Sequence, residues 1–252
     1  MERQTEFTIR LFFHTLFPDG KENLTMKRYE ITMIGASPLI MHADNLAFTE
    51  KNVKAWLKIP ENKAISIAGD DRTPAWSWIG YLYHDFKNVG ISADNIMTML
   101  REGGAKVPFP GKSKETFKKY ACNGLTCDQV QFDLFFGENL DRQLHMADLE
   151  PLLTDNDFEH HLLAAEELGF ELFVKRAKIG MAKHVRVRPR FDHWRAVGTI
   201  TVFDEETSCL TPDNLERIFY QAGRLIGVGD WRPGSPKGGY YGLFETKIKK
   251  LK

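Results

Sequence analysis

The chain has 252 residues, 42% of them hydrophobic, which is enough to bury a substantial core and incompatible with disorder as the overall state. Its 34 Lys and Arg balance its 34 Asp and Glu, so net charge cannot steer the whole molecule towards a polyanion, and any such site must come from local segregation. Three cysteines are too few and odd in number for a disulfide scaffold, no stretch approaches the ~20 apolar residues of a membrane span, and the first residues lack a basic region followed by an apolar one; the expectation is a cytoplasmic protein without a membrane segment.

Residues 6–13 and 29–34 alternate as strands do, with the turn residues Pro18-Asp19-Gly20 between them. Residues 35–42 begin as a breaker and run into an apolar patch, and residues 49–58 predict a helix that ends near Pro60. Residues 80–85 and 89–91 flank Phe86-Lys87-Asn88 as a hairpin would, and Ser92 stands as the N-cap of a helix over residues 93–101. A second helix is predicted over residues 113–120, and the acidic stretch 133–171 reads as a peripheral insertion. Residues 182–188 and 194–203 alternate at period two and predict two strands joined by a basic, aromatic turn. Thr211 and Pro212 then open a helix with Leu215, Ile218, Phe219, Ala222 and Leu225 on one face. Gly227-Val228-Gly229 stops it, a glycine-rich loop follows, and residues 240–245 predict a closing strand. Strands mixed with hairpins and helices indicate an α+β fold in one composite domain over residues 1–252, with core strands in 6–34 and 182–248 and residues 45–175 inserted.

The strongest local signal is basic. Lys175, Arg176, Lys178, Lys183, Arg186, Arg188, Arg190 and Arg195 fall in an interval where Asp192 is the only acid, with Phe191, His193 and Trp194 at the turn. Arginine forks on phosphates beside aromatic rings on which bases stack are what single-strand recognition needs. The alternative is that these cations pair with the acidic stretch 133–171. Lys112, Lys114, Lys118 and Lys119, near Phe109, Phe117 and Tyr120, form a second basic segment that extends such a surface or is a solvated helix face. The glycine pair at 227 and 229 follows a helix instead of opening one, which excludes a dinucleotide fingerprint. The loop reads as a helix stop or, with Arg232 and Lys237, as a clamp whose unobstructed N–H groups approach a phosphate backbone. Cys122, Cys127 and the adjacent His160-His161 lack zinc-site spacing, Asp70-Asp71 reads as a polar turn, and no nucleophile elbow or nucleotide loop is present. No catalytic residue, metal site or cofactor is expected.

Three blocks carry a resemblance: Gly35-Ala36-Ser37-Pro38-Leu39-Ile40-Met41-His42, Arg188-Pro189-Arg190-Phe191-Asp192-His193-Trp194, and Ile226-Gly227-Val228-Gly229-Asp230-Trp231-Arg232-Pro233 leading to Tyr241-Gly242-Leu243-Phe244-Glu245. They resemble a group of uncharacterised bacteriophage and mobile-element proteins and, more distantly, the backbone subunits of CRISPR effector complexes in the repeat-associated RNA-binding superfamily. That resemblance implies an RNA-recognition-motif-like, ferredoxin-like core sheet with helices on one face and large insertions. Its strands would start near Glu6, Tyr29, Val185 and Trp194 and include the closing strand. It also implies copies that stack along single-stranded RNA in a host cytoplasm. The chain lacks the arginine-rich glycine loop of usual form and an aspartate placed for target cleavage, so binding and not nuclease activity is carried over.

The expected function is therefore non-enzymatic binding of single-stranded RNA or DNA by a homo-oligomer. Lys183, Arg186, Arg188 and Arg190 would lie on phosphates, Phe191 and Trp194 would be stacking platforms, and Arg232 and Lys237 backbone clamps. The rival is a structural component whose copies join acidic face to basic face.

Overall fold

The computed structural model describes residues 26–179 and 182–251; the strand expected over residues 6–13 lies outside them. The strands are β1 (Lys27–Gly35), β2 (Leu39–Ile40), β3 (Gly90–Ser92), β4 (Leu125–Cys127), β5 (Gln131–Phe136), β6 (Glu171–Ile179), β7 (Ala182–Phe191), β8 (Trp194–Val202) and β9 (Phe244–Lys250). The α-helices of six residues or more are α1 (Pro60–Ile65), α2 (Ala93–Gly104), α3 (Lys118–Asn123), α4 (Phe158–Leu168) and α5 (Pro212–Gln221). 3-10 helices over Ala75–Tyr81 and Met146–Thr154 and several shorter helical turns connect them, and the fold is α+β with antiparallel sheets. Among the described residues no helix is long and apolar enough to cross a membrane.

The larger sheet has six strands in the order β3-β5-β8-β1-β9, with β4 also paired to β8. Period-two alternation sets its faces. On β1, Tyr29, Ile31 and Met33 are buried, and on β8 so are Trp194, Ala196, Ile200 and Val202, while Arg195, Val197, Thr199 and Thr201 point the other way and are half-buried. Two helices close the buried face. Ser92 Oγ accepts from the Asn95 N–H to start α2, whose Ile96, Met99, Leu100 and Gly103 recur at helical spacing and are buried. Thr211 caps α5 in the same way, with Pro212 in its first turn and Leu215, Ile218 and Phe219 inward. Leu225, expected on that face, is 49% exposed because the helix continues as a wider π-turn over Ala222–Ile226 and loses phase. Along the chain the strands of this sheet and its two covering helices run β1, β3, α2, β4, β5, β8, α5, β9.

The smaller sheet has three strands, β2-β7-β6, and β6 and β7 form an antiparallel hairpin. This corrects the expectation that β7 belongs to the core sheet. Phe191 packs between Phe136 and Phe170 at ring distances of 5.0 and 5.3 Å, and Trp194 Nε1 donates to the Ser37 carbonyl at 2.8 Å. The connection is thus a crossover between sheets whose flanking rings are buried while Asp192 and His193 are exposed. Nor are residues 45–175 an insertion in one piece, because α2, β4 and β5 within them build the main sheet and its cover. The hairpin expected around residues 86–88 survives as a His84–Val89 bridge, preceded by a 3-10 turn over Ala75–Tyr81. The helix expected at 113–120 starts later, at Lys118, because the Phe117 N–H is bonded to the Val107 carbonyl.

Candidate nucleic-acid interface

Alternation places His184, Arg186, Arg188 and Arg190 on one face of β7, in register with Ala177, Lys175, Phe173 and Glu171 of β6. Each of these arginines meets carboxylate. Arg186 Nη1 donates to Asp71 Oδ1 at 2.9 Å and to the Tyr81 hydroxyl at 3.2 Å. Arg188 Nε lies 2.8 Å from Asp230 Oδ2, and Arg190 pairs with Glu171 at 2.8 Å and Asp192 at 2.9 Å. Of these partners only Glu171 belongs to the acidic stretch 133–171; the others come from Asp71, Asp192 and the glycine loop.

Asp71 also accepts from the Tyr81 hydroxyl at 3.0 Å and the Val187 N–H at 3.3 Å. Burial, with the Asp71 charge, pushes the Tyr81 hydroxyl up to about 12 against the opposing effect of Arg186, so it stays a proton donor at neutral pH. Burial also raises the Asp230 carboxyl, but the adjoining His42 imidazole and the Arg188 charge outweigh it and hold that carboxyl below the usual range.

The glycine loop, residues 227–242, lies over this face. Gly229 has φ +76°, and a Cβ there would sit 2.5 Å from the Ile40 carbonyl oxygen; at Gly242, φ +68°, the Val228 oxygen would be 1.8 Å away. These approaches let the Val228 N–H donate to Gly242 O at 2.9 Å, Asp230 N–H to Ile40 O at 2.8 Å and Gly242 N–H to Pro38 O at 2.8 Å. The backbone donors expected to cradle phosphate are therefore largely engaged within the protein. What the loop presents instead is rings. Tyr240 and Tyr241 stack at 4.3 Å, Trp231 lies 5.6 Å and Phe173 5.9 Å from Tyr241, and Lys175 Nζ sits 3.8 Å over Trp231. Tyr240 is 61% exposed.

The structure thus brings the basic strand and the glycine loop together, but redistributes their roles. Phe191 and Trp194, each 1% exposed, belong to the core and cannot be stacking platforms. Arg186, Arg188 and Arg190 are held by carboxylates, and Arg232 lies 3.4 Å from Glu102 on α2 with 16% of its side chain exposed. Lys183 and Lys237 are exposed and, among the described residues, have no carboxylate partner. Lys112 pairs with Glu115 at 3.0 Å and lies over Phe109, while Lys114, Lys118 and Lys119 are exposed. That second segment packs on α2 and, among the described residues, shares no hydrogen bond or ion pair with hairpin or loop.

Sequence reasoning gave no binding role to Phe173, Trp231, Tyr240, Tyr241, Tyr81 or His42 and read Asp71 as part of a polar turn. The aromatic content of the loop was visible in the sequence but not which ring faces outward, since Tyr241 is 3% exposed beside the exposed Tyr240; the roles of Asp71 and His42 were not visible, because their partners are distant in sequence. No group of three or more His, Cys, Asp or Glu among the described residues is placed to hold a metal ion. The chain matches no protein-family model and no curated protein.

Proposed function

We propose that the protein binds single-stranded nucleic acid on the face shared by the β6–β7 hairpin and the glycine loop, and that its core is of the RNA-recognition-motif, ferredoxin-like type. Support for the core assignment is topological. The path β1-α2-β5-β8-α5-β9 with spatial order β5-β8-β1-β9 corresponds to a β-α-β-β-α-β unit whose last strand lies beside its first. In this reading the β6–β7 hairpin is the insertion between the two middle strands.

The observation that carries the binding proposal is the ring cluster beside unpaired lysines: Tyr240, 61% exposed and stacked on Tyr241, with Lys175 over Trp231 nearby. An exposed, rigidly backed ring offers a base a stacking surface worth about 1–3 kcal/mol. Lys175 and Lys237 supply phosphate contacts that release counterions without selecting a base, whereas Lys183, one residue out of phase with Arg186 and Arg188, projects from the opposite face of β7. Arg188 acts one layer below, fixing the loop through Asp230, while Arg186 and Arg190 are held by Asp71 and by Glu171 and Asp192. Tyr81 and the β7 arginines are engaged in structural bonds, which favours binding over chemistry at this face. Copies side by side would coat a strand as a homo-oligomer.

The test is anisotropy of labelled single-stranded RNA and DNA of mixed sequence. Tyr240→Ala is expected to weaken binding by about tenfold, corresponding to one lost stacking contact, with unchanged thermal stability. Absence of binding, or full affinity in a folded Tyr240→Ala variant, would overturn the proposal.

A further inference from the structure

Beyond Arg186 the basic face of β7 opens into a cleft of ≈ 900 Å³, enclosed between β7 and residues 42–81. Such a volume is that of a small-molecule site. Its wall is apolar where Phe48, Val53 and Pro74 face it, and polar where His42, Tyr81 and Arg186 do. The polar side is built. His42 stands edge-on to Tyr81 with ring centres 4.3 Å apart, and Asp71, 9% exposed, is fixed by Tyr81, Arg186 and the Val187 N–H. Gly69, at φ +78°, lies so close to the His184 imidazole that a Cβ would meet its Nδ1 at 2.3 Å, which seats that ring at the rim. Only Nη1 of Arg186 is used by the protein; among the described residues its Nε and Nη2 donate to nothing.

Charge decides what fits. Asp70 is neutralised by Arg72 at 2.6 Å and Asp71 by Arg186 at 2.9 Å, which leaves Lys63 against Asp44 on the lining. A formally neutral cleft offers no excess positive charge for a phosphate. Apolar walls with a donor-rich polar edge suit an uncharged, flat heteroaromatic ring, whose faces meet hydrocarbon and whose edge meets a guanidinium and imidazoles. A relay of contacts links the cleft to the glycine loop: His42 lines the cleft and lies 3.6 Å from Asp230, and Asp230 pairs with Arg188.

We infer that this cleft receives one nucleobase of the bound strand and reads its polar edge, giving the protein a base preference that the lysines and the exposed Tyr240 ring cannot supply. The inference rests on the nucleic-acid reading, because the base is drawn from a strand held at the ring cluster.

Two probe sets separate the claims: four labelled homopolymer oligonucleotides and the four free nucleosides, each titrated into wild type and into Val53→Trp. That substitution fills the cleft from its apolar wall and removes no side-chain hydrogen bond. Ala68→Trp, on the exposed rim, is the second variant should the first melt at a lower temperature. The expected result is a wild-type preference of about tenfold for one homopolymer, lowered to the level of the others by filling the cleft, with the salt slope unchanged. Equal binding of all four homopolymers, or a preference that persists in the filled variants, would overturn the cleft assignment while leaving strand binding intact. If no polymer binds, the strand-binding reading fails. Saturable nucleoside binding lost in Val53→Trp would then still support the cleft, and no nucleoside binding would sink it.

Discussion

Arg188 reaches Asp230 at 2.8 Å with only 13% of its side chain exposed, and Asp230 lies 3.6 Å from His42. Because the folded-state carboxyl is held below its unfolded value, its contribution to stability is present above the ordinary carboxylate value and is lost as pH falls through the lower folded one. The stability gap between wild type and Asp230→Asn, followed by urea unfolding from about pH 6 downward, should therefore narrow in acid, below about pH 4; a gap independent of pH would contradict this. The same pairing changes what mutation of the basic strand means. Arg188→Glu strands a partly buried Asp230 beside a second anion and is expected to cost on the order of 3 kcal/mol in urea unfolding, so a loss of nucleic-acid binding there would report on folding. A loss of stability below about 1 kcal/mol, as for an exposed pair, would contradict that. The segregation of positive charge was legible in the sequence, but the buried acids that absorb it were not, since Asp71 and Asp230 lie far from β7 in the chain. For Trp194 the missed clue was parity: it shares a face of β8 with Ala196, Ile200 and Val202, and an aromatic in that row is core.

Helices and strands were read with most success where a cap coincided with an apolar stripe. Ser92 before α2 and Thr211-Pro212 before α5 fixed both starts, and these are the helices that cover the sheet. What alternation cannot supply is a pairing partner. β7 and β8 both alternate, yet one pairs with β6 and the other with β1, and only the burial of Phe191 and Trp194 at the crossover separates them. Close packing of α5's continuation on β9 depends on a missing side chain. A Cβ at Gly223 would approach the Phe244 carbonyl oxygen to 2.2 Å, closer than any real contact. Gly223→Ala should thus push the helix from the sheet and cost about 1–3 kcal/mol in chemical denaturation; wild-type stability in that variant would contradict the packing described.

Across the whole molecule, a sheet covered by two helices carries on its margin a second, three-stranded sheet, and the glycine loop ties the two together through Gly242 N–H to Pro38 and Asp230 N–H to Ile40. A short β2 edge is thereby fastened to a long hairpin, and basic and aromatic residues from separate parts of the chain share one face. Of the proposed site, the basic strand β7 and the glycine loop were legible in the sequence; the pairing of β7 with β6 was not, nor was which ring of the loop points outward, because the loop's path decides that. On that face positive charge comes from Lys175 and Lys237, which have no carboxylate partner among the described residues, while the β7 arginines are held by acids.

The location of the strand is tested most directly by photo-cross-linking a single-stranded oligonucleotide that carries halogenated pyrimidines to the intact protein and mapping the adducts by mass spectrometry. The account predicts adducts on Tyr240 and Trp231, suppressed by high salt and by Tyr240→Ala. Adducts confined to the half-buried face of β8 around Val197 and Thr199, or to the lysines of α3, would contradict it.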